Sequence, residues 1–141
     1  MPVAVGEDGS VRVLLITSRE TRRWVIPKGW AERGETPRGQ AAREAFEEAG
    51  IEGEIAAKRI GSYRYAKQRR AGPPIPVKVD VFLLLVTRRH ENWPEKDQRE
   101  SMWVTPEEAA GLVDEPGLAK ILRGLLADQI PAAAEPVRPT A

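Results

Sequence analysis

Cysteine is absent from the 141-residue chain, and histidine occurs once, at His90. The first absence removes disulfides, thiol nucleophiles and cysteine-based zinc sites together. The single histidine argues against a histidine-rich metal centre or a Ser-His-Asp triad. No apolar run reaches the roughly 18 residues needed to cross a bilayer, and the N-terminus has no signal-peptide pattern, so a cytoplasmic protein with no membrane partner is expected. An excess of either charge is also missing. The 22 Lys and Arg against 21 Asp and Glu leave a formal net charge of +1. That total implies no bulk polyanion, and nucleic acid is not an expected partner.

The distribution of charge says more than the sum. Basic residues gather at Arg19, Arg22, Arg23 and Lys28, again at Lys58, Arg59, Arg64, Lys67, Arg69 and Arg70, and at Arg88 and Arg89. Acidic residues gather between Glu35 and Glu48 and between Glu95 and Glu100. The length suits one domain with a sizeable core. Residues 1–130 read as that domain, and 131–141, rich in Ala and Pro with almost no large apolar side chains, as a disordered tail.

The stretch GWAERGETPRGQAAREAFEEAGI, Gly29 to Ile51, organises the chain. Thr36 can cap a helix with Pro37 in its first turn, and Gly50 can stop it. Ala42, Ala45, Phe46 and Ala49 recur at i, i+3, i+4 and i+7, which predicts a buried apolar face. Glu44, Glu47 and Glu48 would centre about 160° away from it. Like charges at this spacing destabilise a helix by a few tenths of a kcal/mol per pair, and a hard divalent cation is the natural partner to offset them. Glu35 and Arg43 can form an ion pair bracing the preceding loop, whose Gly29 and Gly34 allow a close turn. A solvated acidic face is what most such charge runs prove to be; the accompanying Gly-rich loop, Glu35 and Arg43 set this one apart.

These residues follow G-x5-E-x7-R-E-U-x-E-E-x-G-U at every defined position: Gly29, Glu35, Arg43, Glu44, Ala45, Glu47, Glu48, Gly50 and Ile51. The pattern resembles the Nudix box, with Ala45 a small choice for the aliphatic position. The resemblance implies a Nudix-type α/β/α sandwich with a mixed sheet between helices. It also implies a pyrophosphohydrolase using Mg²⁺ or Mn²⁺. Glu44, Glu47 and Glu48 would bind metal, joined by the Gly29 carbonyl, while Glu35 and Arg43 would support the loop-helix geometry. Glu47 or Glu48 would also act as base, and Glu100 is a second candidate whose reading as a surface charge carries equal weight.

Along the rest of the chain, Val3 to Val5, Val11 to Thr17 and Trp24 to Ile26 read as strands. Glu54 to Tyr65 reads as one long strand bulged near Gly61, Lys67 to Pro76 as an irregular basic loop, and Val77 to Thr87 as the central strand. In that strand Asp80 would lie near an end or face the site. Met102 to Val104 is a last strand. Thr105 to Glu108 has the form of a capping box for a helix reaching about Leu112, and a final helix from Pro116 carries Leu118, Ile121, Leu122, Leu125 and Leu126 on one stripe.

Beyond the box, RVLLITSRETRRWVIPKGW, AAREAFEEAGIEG, ENW and MWVTPEEA resemble the diphosphoinositol polyphosphate phosphohydrolase branch, whose members also cleave dinucleoside polyphosphates. Lys28 departs from the glycine common in that branch. A small, crowded polyphosphate needs Arg and Lys donors, and Arg19, Arg22, Arg23, Lys28, Arg64, Lys67, Arg69 and Arg70 are the candidates. An adenine would need an aromatic surface, for which Tyr63, Tyr65, Trp30 and Trp93 are available, whereas Trp24 and Trp103 suit the core. Two other readings stay open, a Nudix-fold polyphosphate-binding regulator without hydrolysis and an RNA 5′-pyrophosphohydrolase.

Overall fold

The computed structural model describes residues 1–125 and 129–130. In chain order its elements are β1 (Pro2–Val5), β2 (Val11–Thr17), β3 (Trp24–Val25), α1 (Pro37–Ala49), β4 (Ile51–Ile55), β5 (Gly61–Lys67), β6 (Ile75–Val81), β7 (Leu84–Arg89), a 3-10 turn (Lys96–Gln98), β8 (Ser101–Val104), α2 (Pro106–Leu112) and α3 (Pro116–Arg123). The expected tail and Leu126 lie outside the described residues.

A mixed sheet forms the centre, in the order β3-β2-β1-β7-β4, with β8 also on β2. β1 runs antiparallel to β2 and parallel to β7. Val13 is partnered by both Val3 and Val104, and Ile16 by both Val25 and Ser101, so β8 takes the edge of β2 opposite β1 and β3. Side chains alternate across a strand, so a run of consecutive apolar residues must be buried on both faces. In β2, Val13 and Leu15 face one core, shared with Leu85, Ala109, Leu118 and Leu122 of the α2 and α3 side. Leu14 and Ile16 face the other, shared with Ala45 and Ala49 of α1. This is the expected α/β/α sandwich.

The helix signals fold as their chemistry directs. Thr36 accepts a hydrogen bond from the Gly39 N–H at 3.0 Å. Gly50 adopts a left-handed φ of 68°, and its N–H closes the last turn of α1. Thr105 and Glu108 make the reciprocal capping box of α2.

Two expected strands prove to be four. The reading of Glu54 to Tyr65 as one strand is corrected to β4 and β5, separated by an irregular 56–60. The apolar run Val77 to Thr87 is divided likewise between β6 and β7. β5 and β6 form a separate antiparallel hairpin, with Tyr63 opposite Val79. Phe82 and Leu83, between β6 and β7, stay buried while the chain passes from one sheet to the other, so hydropathy carries no trace of the break. The basic loop is correspondingly shorter than expected, since Lys67, Ile75 and Pro76 belong to the hairpin ladder. Asp80 sits on β6 and pairs with Arg59 at 3.1 Å. The hairpin leans on α3, where Gly117 packs so closely on Tyr63 that an added Cβ would meet the tyrosine Cβ at 2.6 Å.

Candidate active site

The glutamates of α1 depart from the expected division of faces. Glu44 and Glu48 are buried along with Ala45 and Ala49, while Phe46, assigned to the apolar face, is exposed and set edge-on against His90. Burial of a charge is tolerated only with partners. Glu48 Oε1 lies 2.9 Å from Arg99 Nη2, and its Oε2 accepts from the Lys28 backbone N–H at 2.8 Å. Burial pushes the Glu48 carboxyl up to about 8, against the pull of Arg99, and the hydrogen-bonded Glu44 carboxylate pushes the same way. Glu47 is more open, its side chain 35% exposed.

Arg43 ties these groups to the preceding loop. Its guanidinium grips Glu35 at 2.7 and 3.0 Å and donates to the Trp30 carbonyl at 3.0 Å. The remaining nitrogen, Nη1, stands 2.9 Å from Glu44 and 3.1 Å from Glu47. The hydrogen bond from Arg43 holds the Glu35 carboxyl below its usual range. Loop and helix are therefore joined as the spacing of Glu35 and Arg43 leads one to expect. The Gly29 carbonyl accepts from the Gln40 side chain. Gly29 itself lies against the Glu44 carboxylate, where any Cβ would collide with it.

Among the described residues, no three carboxylate or imidazole side chains converge into a preassembled ion cage. The donor set nonetheless fits a hard divalent cation. Two carboxylates, Glu44 and Glu48, are buried one turn apart on α1, and a cation between such like charges offsets their repulsion. Glu44 and Glu47 meanwhile share one cationic nitrogen of Arg43.

Glu44 and Glu48 line an open cleft of about 1470 Å³ whose other walls include Arg19, Arg23, Lys28, Lys67, Arg69 and Arg70. Six of the eight candidate phosphate donors are thus brought together. Arg22 and Arg64 lie outside that lining. Arg64 points from β5 opposite to Tyr63 and Tyr65, because adjacent strand residues alternate, and it is exposed outside the cleft. Arg22 has a left-handed φ of 56° and turns outward to the Gln98 carbonyl, at 3.0 Å. Glu100 is likewise removed from the cleft, its side chain 72% exposed and 3.8 Å from Arg22.

The six differ in how far they are already engaged. Arg23 pairs with Asp114 and Glu115 at 3.2 and 3.5 Å, and Arg19 reaches Gln98 at 3.0 Å and Glu95 at 3.6 Å. Lys67 Nζ rests over the Trp30 ring at 4.9 Å, and Lys28 Nζ over the Tyr65 ring at 5.2 Å. Burial lowers the Lys28 ammonium, with Glu115 and Glu48 countering. Arg69 donates to the Pro73 carbonyl at 2.8 Å. Arg70 stands 4.0 Å from Glu20 on the open surface, a pair of little strength.

Of the aromatic candidates, Trp30 and Tyr65 line the cleft, whereas Tyr63 is buried in the core. Trp93 packs directly beneath Gly50 at the end of α1 and offers no stacking face to the cleft. Arg99, Glu95, Gln40 and Glu115 were not singled out by the sequence. Arg99 stands 51 positions after Glu48 in a loop, and nothing in the spacing links them.

The chain belongs to the NUDIX domain family, whose family model matches residues 3–128. It is 35% identical over 103 residues to Nudix hydrolase 4 of Arabidopsis thaliana, covering 73% of this chain and 48% of that protein. It is 32% identical over 99 residues to diphosphoinositol polyphosphate phosphohydrolase 3-beta of Bos taurus, covering 69% of this chain and 56% of that protein. The chain spans about half the length of the curated relatives it matches. In fold it is similar to a C. elegans Ap4A hydrolase solved as a binary complex, with a TM-score of 0.64 at 23% identity, over 86% of this chain and 88% of that one. Among the described residues no helix is long and apolar enough to cross a membrane.

Proposed function

We propose that this chain is a metal-dependent hydrolase that cleaves a phosphoanhydride bond in a small, highly charged polyphosphate, either a diphosphoinositol polyphosphate or a dinucleoside polyphosphate. One observation carries the reading. The cleft sets the buried Glu44 and Glu48 on one wall and Lys28, Lys67, Arg69 and Arg70 on the others. Relatives named for hydrolysis of diphosphoinositol polyphosphates and Ap4A support the same substrate class.

Glu44, Glu47 and Glu48 would hold Mg²⁺ or Mn²⁺. When bound, such ions neutralise phosphate oxygens and lower the pKa of an attacking water. The remaining work belongs to the chain's own residues. Lys67, Arg69 and Arg70 bind the phosphates away from the cut, and Lys28 meets those nearest Glu48. Arg guanidinium forks suit phosphate oxygens in pairs, and lysine acts as a point charge. Glu47 or Glu48 accepts the proton of the attacking water, within reach of the same phosphorus. Glu35 and Arg43 keep the Trp30 loop at the mouth of the cleft. Trp30 offers a base-stacking face should the substrate carry a nucleoside.

Phosphate release measured with Mg²⁺ or Mn²⁺ across diphosphoinositol polyphosphate, diadenosine polyphosphates, ADP-ribose, nucleoside triphosphates and 5′-triphosphorylated RNA tests the proposal. Preference for either of the first two is the expected result. Binding of the same compounds without turnover would favour a regulatory module.

A further inference from the structure

Arg99 lies outside the box, between the 3-10 turn and β8, yet it is among the most enclosed charged side chains at the cleft, 10% exposed. Its guanidinium joins three parts of the fold. Nη2 stands 2.9 Å from Glu48 Oε1 on α1 and 2.8 Å from Glu95 Oε1. Nε donates to the same Glu95 oxygen at 2.9 Å, and Nη1 donates to the Thr17 carbonyl at the end of β2 at 3.1 Å. The backbone beside it is locked as well. Glu100 N–H donates to the buried Thr17 hydroxyl at 3.0 Å, and Thr17 N–H donates to the Glu100 carbonyl at 3.0 Å.

We propose that Arg99 is a positioning residue of the cation site, clamping Glu48 through Nη2 and thereby setting how tightly the carboxylates hold a divalent cation. The proposal rests on the reading of Glu44, Glu47 and Glu48 as cation ligands. Charge alone is not its basis, since a lysine would supply the same charge. The fork is the basis. With one oxygen fixed by Arg99 and the other by the Lys28 N–H, Glu48 has a single orientation, and each oxygen keeps a second lone-pair direction for a metal. A lysine ammonium is one point and cannot span Glu48, Glu95 and the Thr17 carbonyl together. Partners that orient a metal ligand from behind typically govern affinity by about 10–100-fold.

Mn²⁺ titration followed by the electron paramagnetic resonance of free Mn²⁺ tests this, on wild type, Arg99→Lys, Arg99→Gln and Glu48→Gln. Each variant is held well below the unfolding transition measured by circular dichroism. The expected result is a Kd weakened about 10-fold in Arg99→Lys and towards 100-fold in Arg99→Gln. Arg99→Lys binding Mn²⁺ like wild type, even with a lowered transition, would reduce Arg99 to a brace and overturn the proposal. Tighter binding by Arg99→Gln would also overturn it, leaving Arg99 a mere competitor of the cation. If Arg99→Gln does not fold, the Arg99→Lys comparison decides. A wild-type protein that binds no Mn²⁺, or a Glu48→Gln variant that binds it undiminished, would refute the cation reading itself, an outcome distinct from either result at Arg99.

Discussion

The two walls of the cleft bear opposite charge, and they hold it in opposite ways. On the acidic wall Glu48 is fixed at both oxygens, and Glu44 is enclosed against Gly29, Arg43 and Glu48. On the basic wall the hairpin carries Lys67, Arg69 and Arg70 near its tip, held by an aromatic ring, a backbone carbonyl and a distant exposed glutamate. Fixed donors suit chemistry, where a displacement of about 1 Å can cost 10²-fold in rate. Loosely held cations suit recognition of a flexible polyanion, because little internal bonding is lost when phosphate replaces a ring or a solvated carboxylate. On the proposed function the walls would divide the labour, with turnover set on α1 and affinity on the hairpin.

The strongest way to break this division is Glu48→Gln. It is expected to lower kcat by about 10²–10⁴-fold while KM changes far less, which steady-state kinetics with saturating Mg²⁺ reads directly. An equal fall in kcat/KM through KM alone would show that the acidic wall serves binding instead. Next in size is Gly117→Val. Its new side chain must push into Tyr63, separating the hairpin from α3 at a cost of about 1–3 kcal/mol, measurable by urea denaturation. Unchanged stability would mean that the hairpin wall is not seated on α3 as described.

Lys67→Met probes the basic wall. It is expected to raise KM about 10-fold with kcat nearly constant, and the effect should shrink at high salt, since the lysine is a partly exposed cation. A fall in kcat instead would assign Lys67 to the transition state. The smallest effect is expected from Arg64→Met, less than about 2-fold in either parameter, as its side chain lies on the outer face of β5. A rise in KM there equal to that of Lys67→Met would remove the distinction between the two faces of the hairpin.

What could be read from the sequence follows from the range of each interaction. The caps of α1 and α2 and the Glu35–Arg43 pair depend on neighbours or on short, regular spacing, and all were legible. The split of Val77 to Thr87 into β6 and β7 was not, because both strands and the residues between them are apolar. The same limit explains the glutamates. Helical periodicity places charges on the outside, and only Arg99 and the Lys28 N–H, brought in from other parts of the chain, make an inside position tolerable for Glu48. The basic candidates divide for a further reason. Alternation along β5 turns Lys67 towards the cleft and Arg64 away from it, a distinction available only once the start and register of β5 are known.

The proposed function is metal-dependent hydrolysis, by the buried glutamates, of a polyphosphate held by the basic wall. It is tested most directly by phosphate release from diphosphoinositol polyphosphate and diadenosine polyphosphates by wild type and Glu48→Gln, each with Mg²⁺ or Mn²⁺ and with chelator. Turnover by the wild type with metal is expected, with loss of that turnover on chelation and in Glu48→Gln. Full activity in the variant, or activity that survives complete removal of divalent cations, would contradict it.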